Sequence, residues 1–164
     1  MNYCDFIKAL DKKLEQYFLE QKENILCREG CSFCCEKGDY PLSETELEYL
    51  MQGYIALNSE TKRIVQKNIK EMVKGGKCPF LIEGKCSVYF YRPIICRTHG
   101  LAYICGDNVV KLPYCANMGM NYKNCYSDGE FTGVPVKENL DRLLPNGGEV
   151  RNLYDWLKTT ENFV

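Results

Sequence analysis

No stretch of this 164-residue sequence approaches the roughly 18 continuous apolar residues that a membrane span needs. The opening segment, MNYCDFIKALDKKLEQ, carries charges throughout and holds no apolar run, so no secretory signal is read there. Charge of one sign is missing as well. Lys plus Arg number 21 against 22 Asp plus Glu, a formal net charge of −1, and the charges are interspersed. That balance leaves no electrostatic footprint for nucleic acid or an acidic membrane surface, and no charged tail. No repeat, low-complexity tract or linker stands out. There is no Ser/His/Asp set, phosphate loop or paired-carboxylate pattern. The expected partners therefore exclude nucleic acid and membrane, and a protein partner stays open.

What the chain has in excess is cysteine, eleven in all. Without an export signal the expected location is the cytoplasm, where clustered thiols bind metal or do redox chemistry instead of forming permanent disulfides. An odd number of thiols cannot all pair within one chain, which agrees. With 45% hydrophobic residues, a chain of this size can bury a core without covalent staples. We read residues 1–164 as a single domain.

The N-terminal segment places Phe6, Ile7, Leu10, Leu14, Tyr17 and Phe18 on one helical face, which predicts an amphipathic helix ending near the first clustered cysteine. Ser43 and Glu46 form the S-x-x-E pattern of a capping box before SETELEYLMQGYIAL. That helix presents Leu47, Leu50, Met51, Tyr54 and Ile55, read as core packing. SETKRIVQKNIKEMVKGG predicts another helix, stopped by Gly75-Gly76. Irregular chain follows, with a turn at Glu83-Gly84. LAYIC and VVKLPYC flank Gly106-Asp107-Asn108 as a β-hairpin. From Cys125 to Phe131 the chain is polar and turn-rich. Two short helices, VKENLDRLL and EVRNLYDWLK, are predicted at the end, separated by Pro145 and Gly147-Gly148. The fold class is mostly α with a small β-hairpin, built around an irregular cysteine-rich metal-binding centre.

Residues 27–36 read CREGCSFCCE. Thiolates are soft ligands, and four of them suit Zn²⁺ or an iron–sulfur cluster. Cys27-x3-Cys31-x2-Cys34 is a compact chelating loop, and Gly30 permits its tight backbone. Cys35 is harder to place. Adjacent side chains are expected to diverge, so Cys34 and Cys35 would serve two irons or two separate ions, or Cys35 would simply be packed inside. Further on come Cys78, Cys86, Cys96 in RPIICR and Cys115 in LPYC. None supplies the second C-x2-C knuckle usual for a structural zinc site, which favours iron–sulfur. Arg92 and Arg97 flank Cys96, where they could offset thiolate charge or make ordinary surface salt bridges.

Cys27-x3-Cys31-x-Phe33-Cys34 also has the spacing of the cluster loop in radical S-adenosylmethionine enzymes, and Gly147-Gly148-Glu149 echoes another of their motifs. Those enzymes need a βα-repeat barrel, and no such repeat is visible here. A better match comes from CREGCSFCC, CPFL, the C-x2-Y-x2-RP-x2-CR stretch and a later cysteine. Together these resemble the CxxCxxCC putative zinc- or iron-chelating domain family, the YkgJ-type cysteine cluster proteins, over about residues 27–117. The resemblance implies a metal site of eight cysteines falling on Cys27, Cys31, Cys34, Cys35, Cys78, Cys86, Cys96 and Cys115. Flagellin lysine N-methylases look as if they share such a cluster, which implies a link to protein methylation by analogy alone. Cys4, Cys105 and Cys125 lie outside the pattern, and Cys125 could replace or supplement Cys115.

His99, the only histidine, follows Cys96 by three residues and could be a ligand, a proton carrier or a packing residue. Tyr89, Tyr91 and Tyr103 are read as packing around a buried centre. Three functional readings follow. The favoured one is a cytosolic protein holding an iron–sulfur cluster, 4Fe–4S in type, with a redox, sensing or modification-assisting role. The second is a structural Zn²⁺ module that mediates protein interaction. The third is a small metal-dependent enzyme related to protein methylation, with catalytic residues unassigned.

Overall fold

The computed structural model describes residues 2–28, 30–127, 130–143 and 147–159. In chain order its elements are α1 (Tyr3–Glu20), β1 (Pro41–Ser43), α2 (Glu44–Ala56), α3 (Ser59–Glu71), β2 (Leu81–Ile82) and β3 (Lys85–Cys86). Then come α4 (Ile94–Thr98), β4 (Tyr103–Ile104), β5 (Val110–Lys111), β6 (Tyr126–Ser127), β7 (Glu130–Phe131), β8 (Val150–Asn152) and α5 (Leu153–Thr159), with short 3-10 turns between. The fold is mostly helical with small antiparallel strand pairs. The chain divides into two compact units, described separately below. One comprises residues 1–29 and 97–145, the other residues 30–96 and 146–164. We call them the α1 unit and the α2–α3 unit.

In the α2–α3 unit, Ser43 caps α2, and Ser43 and Glu46 complete the expected capping box. Leu50 and Tyr54 are buried, whereas Ile55, expected on the same stripe, is 68% exposed. The buried set Leu42, Leu50, Val65, Ile69, Phe80, Val88, Leu153 and Leu157 forms one apolar core. Helix α3 ends at Glu71, before the Gly75-Gly76 pair expected to stop it. Its terminus is fixed by tertiary contacts instead. Lys158 Nζ donates to the carbonyls of Ile69 and Lys70 at 2.9 and 3.0 Å, and Met72 turns inward to burial.

Two corrections fall at the end of the chain. EVRNLYDWLK is not all helix, because residues 150–152 form β8, which pairs antiparallel with β1 in the register Leu42↔Arg151. VKENLDRLL yields only a 3-10 turn at Leu140–Leu143; Leu144 and Pro145 lie outside the described residues. The Gly147-Gly148-Glu149 triplet has a local role. The Glu149 and Gly147 carbonyls accept from Glu44 N and Thr45 N at 2.9 and 3.0 Å, satisfying N–H groups at the start of α2 that have no intrahelical partner.

In the α1 unit, α1 buries Ile7, Leu10 and Leu14 and is capped by Asn2, whose side chain accepts from Asp5 N at 2.9 Å. It ends at Glu20, earlier than expected. Tertiary hydrogen bonds to Asn24 compete with further helix: its carbonyl accepts from Tyr122 N at 2.6 Å and its Oδ1 from Cys125 Sγ at 3.2 Å. The expected hairpin forms as β4–β5, with Asn108 at φ 59° in its turn. The polar stretch after Cys125 carries the β6–β7 pair, while Asp128 and Gly129 lie outside the described residues. Among the described residues, no helix is long and apolar enough to cross a membrane.

Candidate metal centre

Within the α2–α3 unit, four short segments bring cysteines together. The turn Phe33–Lys37 is a 3-10 helix that holds Cys34 and Cys35, begun by Cys35 N donating to Ser32 O at 2.8 Å. Tyr40 Oη donates to Cys34 O at 2.9 Å and ties the start of the turn to the chain just beyond it. Cys78 precedes β2, and its N–H donates to the Cys35 carbonyl at 2.8 Å, so one main-chain bond ties the adjacent pair to the second segment. Gly38 makes this approach possible, since a Cβ there would collide with Cys78 Cβ. Cys86 lies in β3, joined to β2 by a two-residue loop with Glu83 at φ 48° and Gly84 at φ 76°. Such left-handed loop pairs suit a tight hairpin. Cys78 and Cys86 both pack against the apolar core.

Cys96 sits in α4. The start of that helix is held by Glu46, whose carboxylate is fully buried and accepts from Ile94 N at 2.9 Å. The same carboxylate accepts from Ser43 N and Ser43 Oγ at 2.8 and 2.9 Å. Sequence reasoning saw Glu46 only as a capping residue. Its second task, positioning the cysteine-bearing α4, has no local sequence signal, because Ile94 is 48 positions away.

The electrostatics are those of crowded thiols. Cys34 Sγ and Cys35 Sγ lie 4.0 Å apart, so the neighbouring side chains converge, contrary to the expected divergence. Their shared hydrogen bond, with a smaller contribution from the Arg92 charge, brings the Cys34 thiol down to about 7. The same bond, then burial and the charges of nearby sulfurs, pushes Cys35 far up. Burial pushes Cys78 up to about 12, with Cys86 and Cys34 adding repulsion. Burial likewise raises Cys86, and raises Cys96 well above the usual thiol value with help from Cys78, Cys34 and Cys86. Burial away from water and mutual repulsion thus make it costly to ionise more than one of these five thiols when no cation is bound. A bound cation reverses that cost by stabilising every thiolate, which is why the donor set suits a soft metal. Arg92, stacked 3.6 Å from the Tyr89 ring centroid, favours the thiolate at Cys34, Cys86 and Cys96.

The other candidate residues lie elsewhere. Cys31 is half-buried in the α2–α3 unit, ahead of the 3-10 turn. Arg97, in the α1 unit, directs its Nη1 at both Asp11 carboxylate oxygens at 2.6 Å. His99, also there, has its pKa lowered by burial. Cys27 is exposed, Cys115 and Cys125 are buried, and all three belong to the α1 unit. Cys4 is exposed in the first turn of α1, and Cys105 Sγ donates to Val109 O at 3.1 Å in the β4–β5 turn. None of the eleven cysteines forms a disulfide. Among the described residues, no three His, Cys, Asp or Glu donors converge closely enough to grip one ion, so coordination would require the sulfurs to move inward.

Scattered loops that deliver sulfurs to the edge of a small core offer the soft donors of a metal-chelating domain. The chain belongs to the family described as CxxCxxCC, putative zinc- or iron-chelating domain, whose model matches residues 26–125. No curated protein and no solved structure matches the chain.

Proposed function

We propose that this is a cytosolic protein whose α2–α3 unit holds an iron–sulfur cluster, 4Fe–4S in type, through four of the five cysteines Cys34, Cys35, Cys78, Cys86 and Cys96. Its role is electron transfer, redox sensing or assistance to a protein-modifying partner. The observation that carries the proposal is the gathering of five thiols from four short irregular segments, enough to supply the four ligands of a cubane. Cys34 and Cys35 converge to 4.0 Å on one turn, Cys78 is tied to that turn by its N–H bond to Cys35 O, and Cys86 and Cys96 lie on β3 and α4. Irregular loop spacing and the lack of a second C-x2-C knuckle also favour a cluster. When bound, the cluster supplies a one-electron couple. The protein supplies the rest: buried sulfurs, an apolar floor that excludes water, and Arg92 to offset negative charge. Thiols outside any disulfide suit a reducing compartment.

One observation favours a second reading, a structural zinc module that presents a surface to a protein partner. The 4.0 Å separation of Cys34 and Cys35 sulfurs is near the edge of about 3.8 Å for a tetrahedron with zinc–sulfur bonds of about 2.3 Å. Metal and sulfide analysis of anaerobically purified protein, with its visible spectrum, separates the two. Brown protein with iron matched by sulfide supports the cluster. Colourless protein with stoichiometric zinc overturns it in favour of the zinc module.

A further inference from the structure

Cys34 and Cys35 share one 3-10 turn, where successive side chains leave the axis about 120° apart. Their sulfurs nonetheless stand 4.0 Å from one another, so both side chains have turned inward to meet. Both residues are half-buried, within reach of small solutes, and neither is in a disulfide. The peptide group between them is held on both sides. The Cys34 carbonyl accepts from Tyr40 Oη at 2.9 Å, and the Cys35 N–H donates to Ser32 O at 2.8 Å. The next carbonyl, that of Cys35, accepts from Cys78 N at 2.8 Å and so carries the tie to the segment leading into β2.

Convergence of this kind suits two ligands of one metal, and it suits a second reaction equally well. A disulfide bond is about 2.05 Å long, so the pair has only about 2 Å left to close. The Cα atoms of neighbours joined by a trans peptide are about 3.8 Å apart, below the usual disulfide span of about 4.4–6.8 Å. A bond between them is therefore strained, and strained disulfides are the ones that thiols readily reopen. The strain falls on the peptide between the pair, hence on its bonds to Tyr40 and Ser32, and through Cys35 on the bond to Cys78.

We propose that Cys34 and Cys35 are a peroxide-sensitive switch: when no metal is bound, a hydroperoxide closes them into a vicinal disulfide that blocks metal uptake and that thiols reopen. One thiol gives up its proton and its sulfur attacks a peroxide oxygen; the O–O bond breaks, water leaves and a sulfenic acid remains. The second sulfur then attacks the first. An S–S bond forms, the S–O bond breaks, and the departing hydroxide takes the second thiol's proton as water. Together the two sulfurs give up two electrons, and the peroxide is reduced to two waters. Closure removes two of the five thiols of the α2–α3 unit and leaves three, fewer than the four that a cubane takes. That consequence rests on the proposed metal centre, whereas the closure itself does not.

The test adds hydrogen peroxide to full-length protein as purified without oxygen, and again after a chelator has stripped its metal under reducing conditions. Free thiols are then alkylated, and the chain is cut by chymotrypsin after Phe33 and by trypsin after Lys37, which parts Cys31 from the pair. The expected result in stripped protein is a fragment 34–37 that lacks two hydrogens and carries no alkyl group. Re-uptake of iron with sulfide, or of zinc if zinc was stripped, should be lost until dithiothreitol restores it. Bound metal should protect the pair. Alkylated Cys34 and Cys35, a sulfinic acid, a link from either to another cysteine, or closure that leaves uptake unchanged overturns the switch. Cys31→Ser should oxidise as wild type does, and loss of closure in that variant refutes the pairing. Should stripping unfold the chain, limiting peroxide on protein as purified serves instead. Cys34 and Cys35 should then link before any other cysteine is oxidised, and any other order refutes the switch. Brown protein that does not close overturns the switch alone, and colourless zinc protein that closes overturns the cluster alone.

Discussion

Replacing Glu46 tests how the fold positions the Cys96 segment. Its carboxylate is fully buried and receives three donors, two of them main-chain N–H groups at Ser43 and Ile94. Alanine leaves both without an acceptor in a site water does not reach. At about 1–3 kcal/mol for each orphaned donor, Glu46→Ala should cost about 2–6 kcal/mol. A domain of this size has only about 5–15 kcal/mol in total. Ser43→Ala removes the helix cap but leaves the bond to Ile94, and should cost only about 1 kcal/mol. Glu46→Gln keeps one acceptor oxygen and turns an NH2 toward the other donor, so it should fall between them. Urea unfolding followed by circular dichroism gives the three values, read as shifts in midpoint at constant slope. Metal content should follow the same order, since α4 carries Cys96. If Glu46→Ala costs no more than Ser43→Ala, the bond to Ile94 contributes nothing and the reasoning fails.

Gly38→Ala drives a methyl into Cys78 Cβ and should sharply reduce metal content, with about 1–3 kcal/mol of destabilisation; full metal occupancy in the purified variant would refute the close approach. Cys34→Ser and Cys35→Ser should each lower metal content, because the two sulfurs converge. If only one does, the other cysteine is structural. In the α1 unit, burial alone would raise the Glu138 carboxyl, but hydrogen bonds from Lys13 and Tyr17 outweigh it and hold it below its ordinary 4.5. A carboxyl depressed on folding contributes stability that is present above the unfolded value and lost as pH falls through the folded one. Glu138→Gln should therefore destabilise at pH 7 by under about 1 kcal/mol, as partly exposed pairs do. The difference from wild type should shrink as pH falls from 4.5 through the depressed folded value, and thermal melts that differ equally at pH 7 and in acid would contradict it.

The legible part of this fold was whatever short-range pattern encodes. Ser43 and Glu46 announced the start of α2, and Gly106-Asp107-Asn108 announced the β4–β5 turn. What escaped depends on residues far apart in sequence. Residues 150–152 have helical periodicity and form a strand because β1 offers an edge to pair with. Helix α3 stops where Lys158 meets its carbonyls, not at the next glycine. The cysteines that bear on metal were visible by type and clustering. Their partition between two units was not, because Cys27 and Cys31 are near neighbours in the chain yet belong to different units. The role of Gly38 was equally hidden, since it acts through a contact with Cys78 many residues away.

The strand pairs explain why thiols and core must cooperate. β2 and β3 contribute two residues each, and a hairpin that short is not stable by itself. Phe80, Leu81 and Val88 are buried around it, so the apolar core orders the loop from one side while Cys78 and Cys86 occupy its ends. Packing thus limits how far these sulfurs stray, but leaves them protonated and mutually repelling once ionised. Metal binding at the proposed centre would remove that repulsion and tie Cys78 and Cys86 to Cys34 and Cys35, across a junction otherwise held by the Cys78 N to Cys35 O bond. Chelation under reducing conditions should then loosen the segment from Cys78 to Cys96 while α2 and α3 persist on their own core. Hydrogen exchange resolved by peptide would show this as selective loss of protection, whereas uniform loss across α2 and α3 would mean that the metal, not the apolar core, holds the unit together.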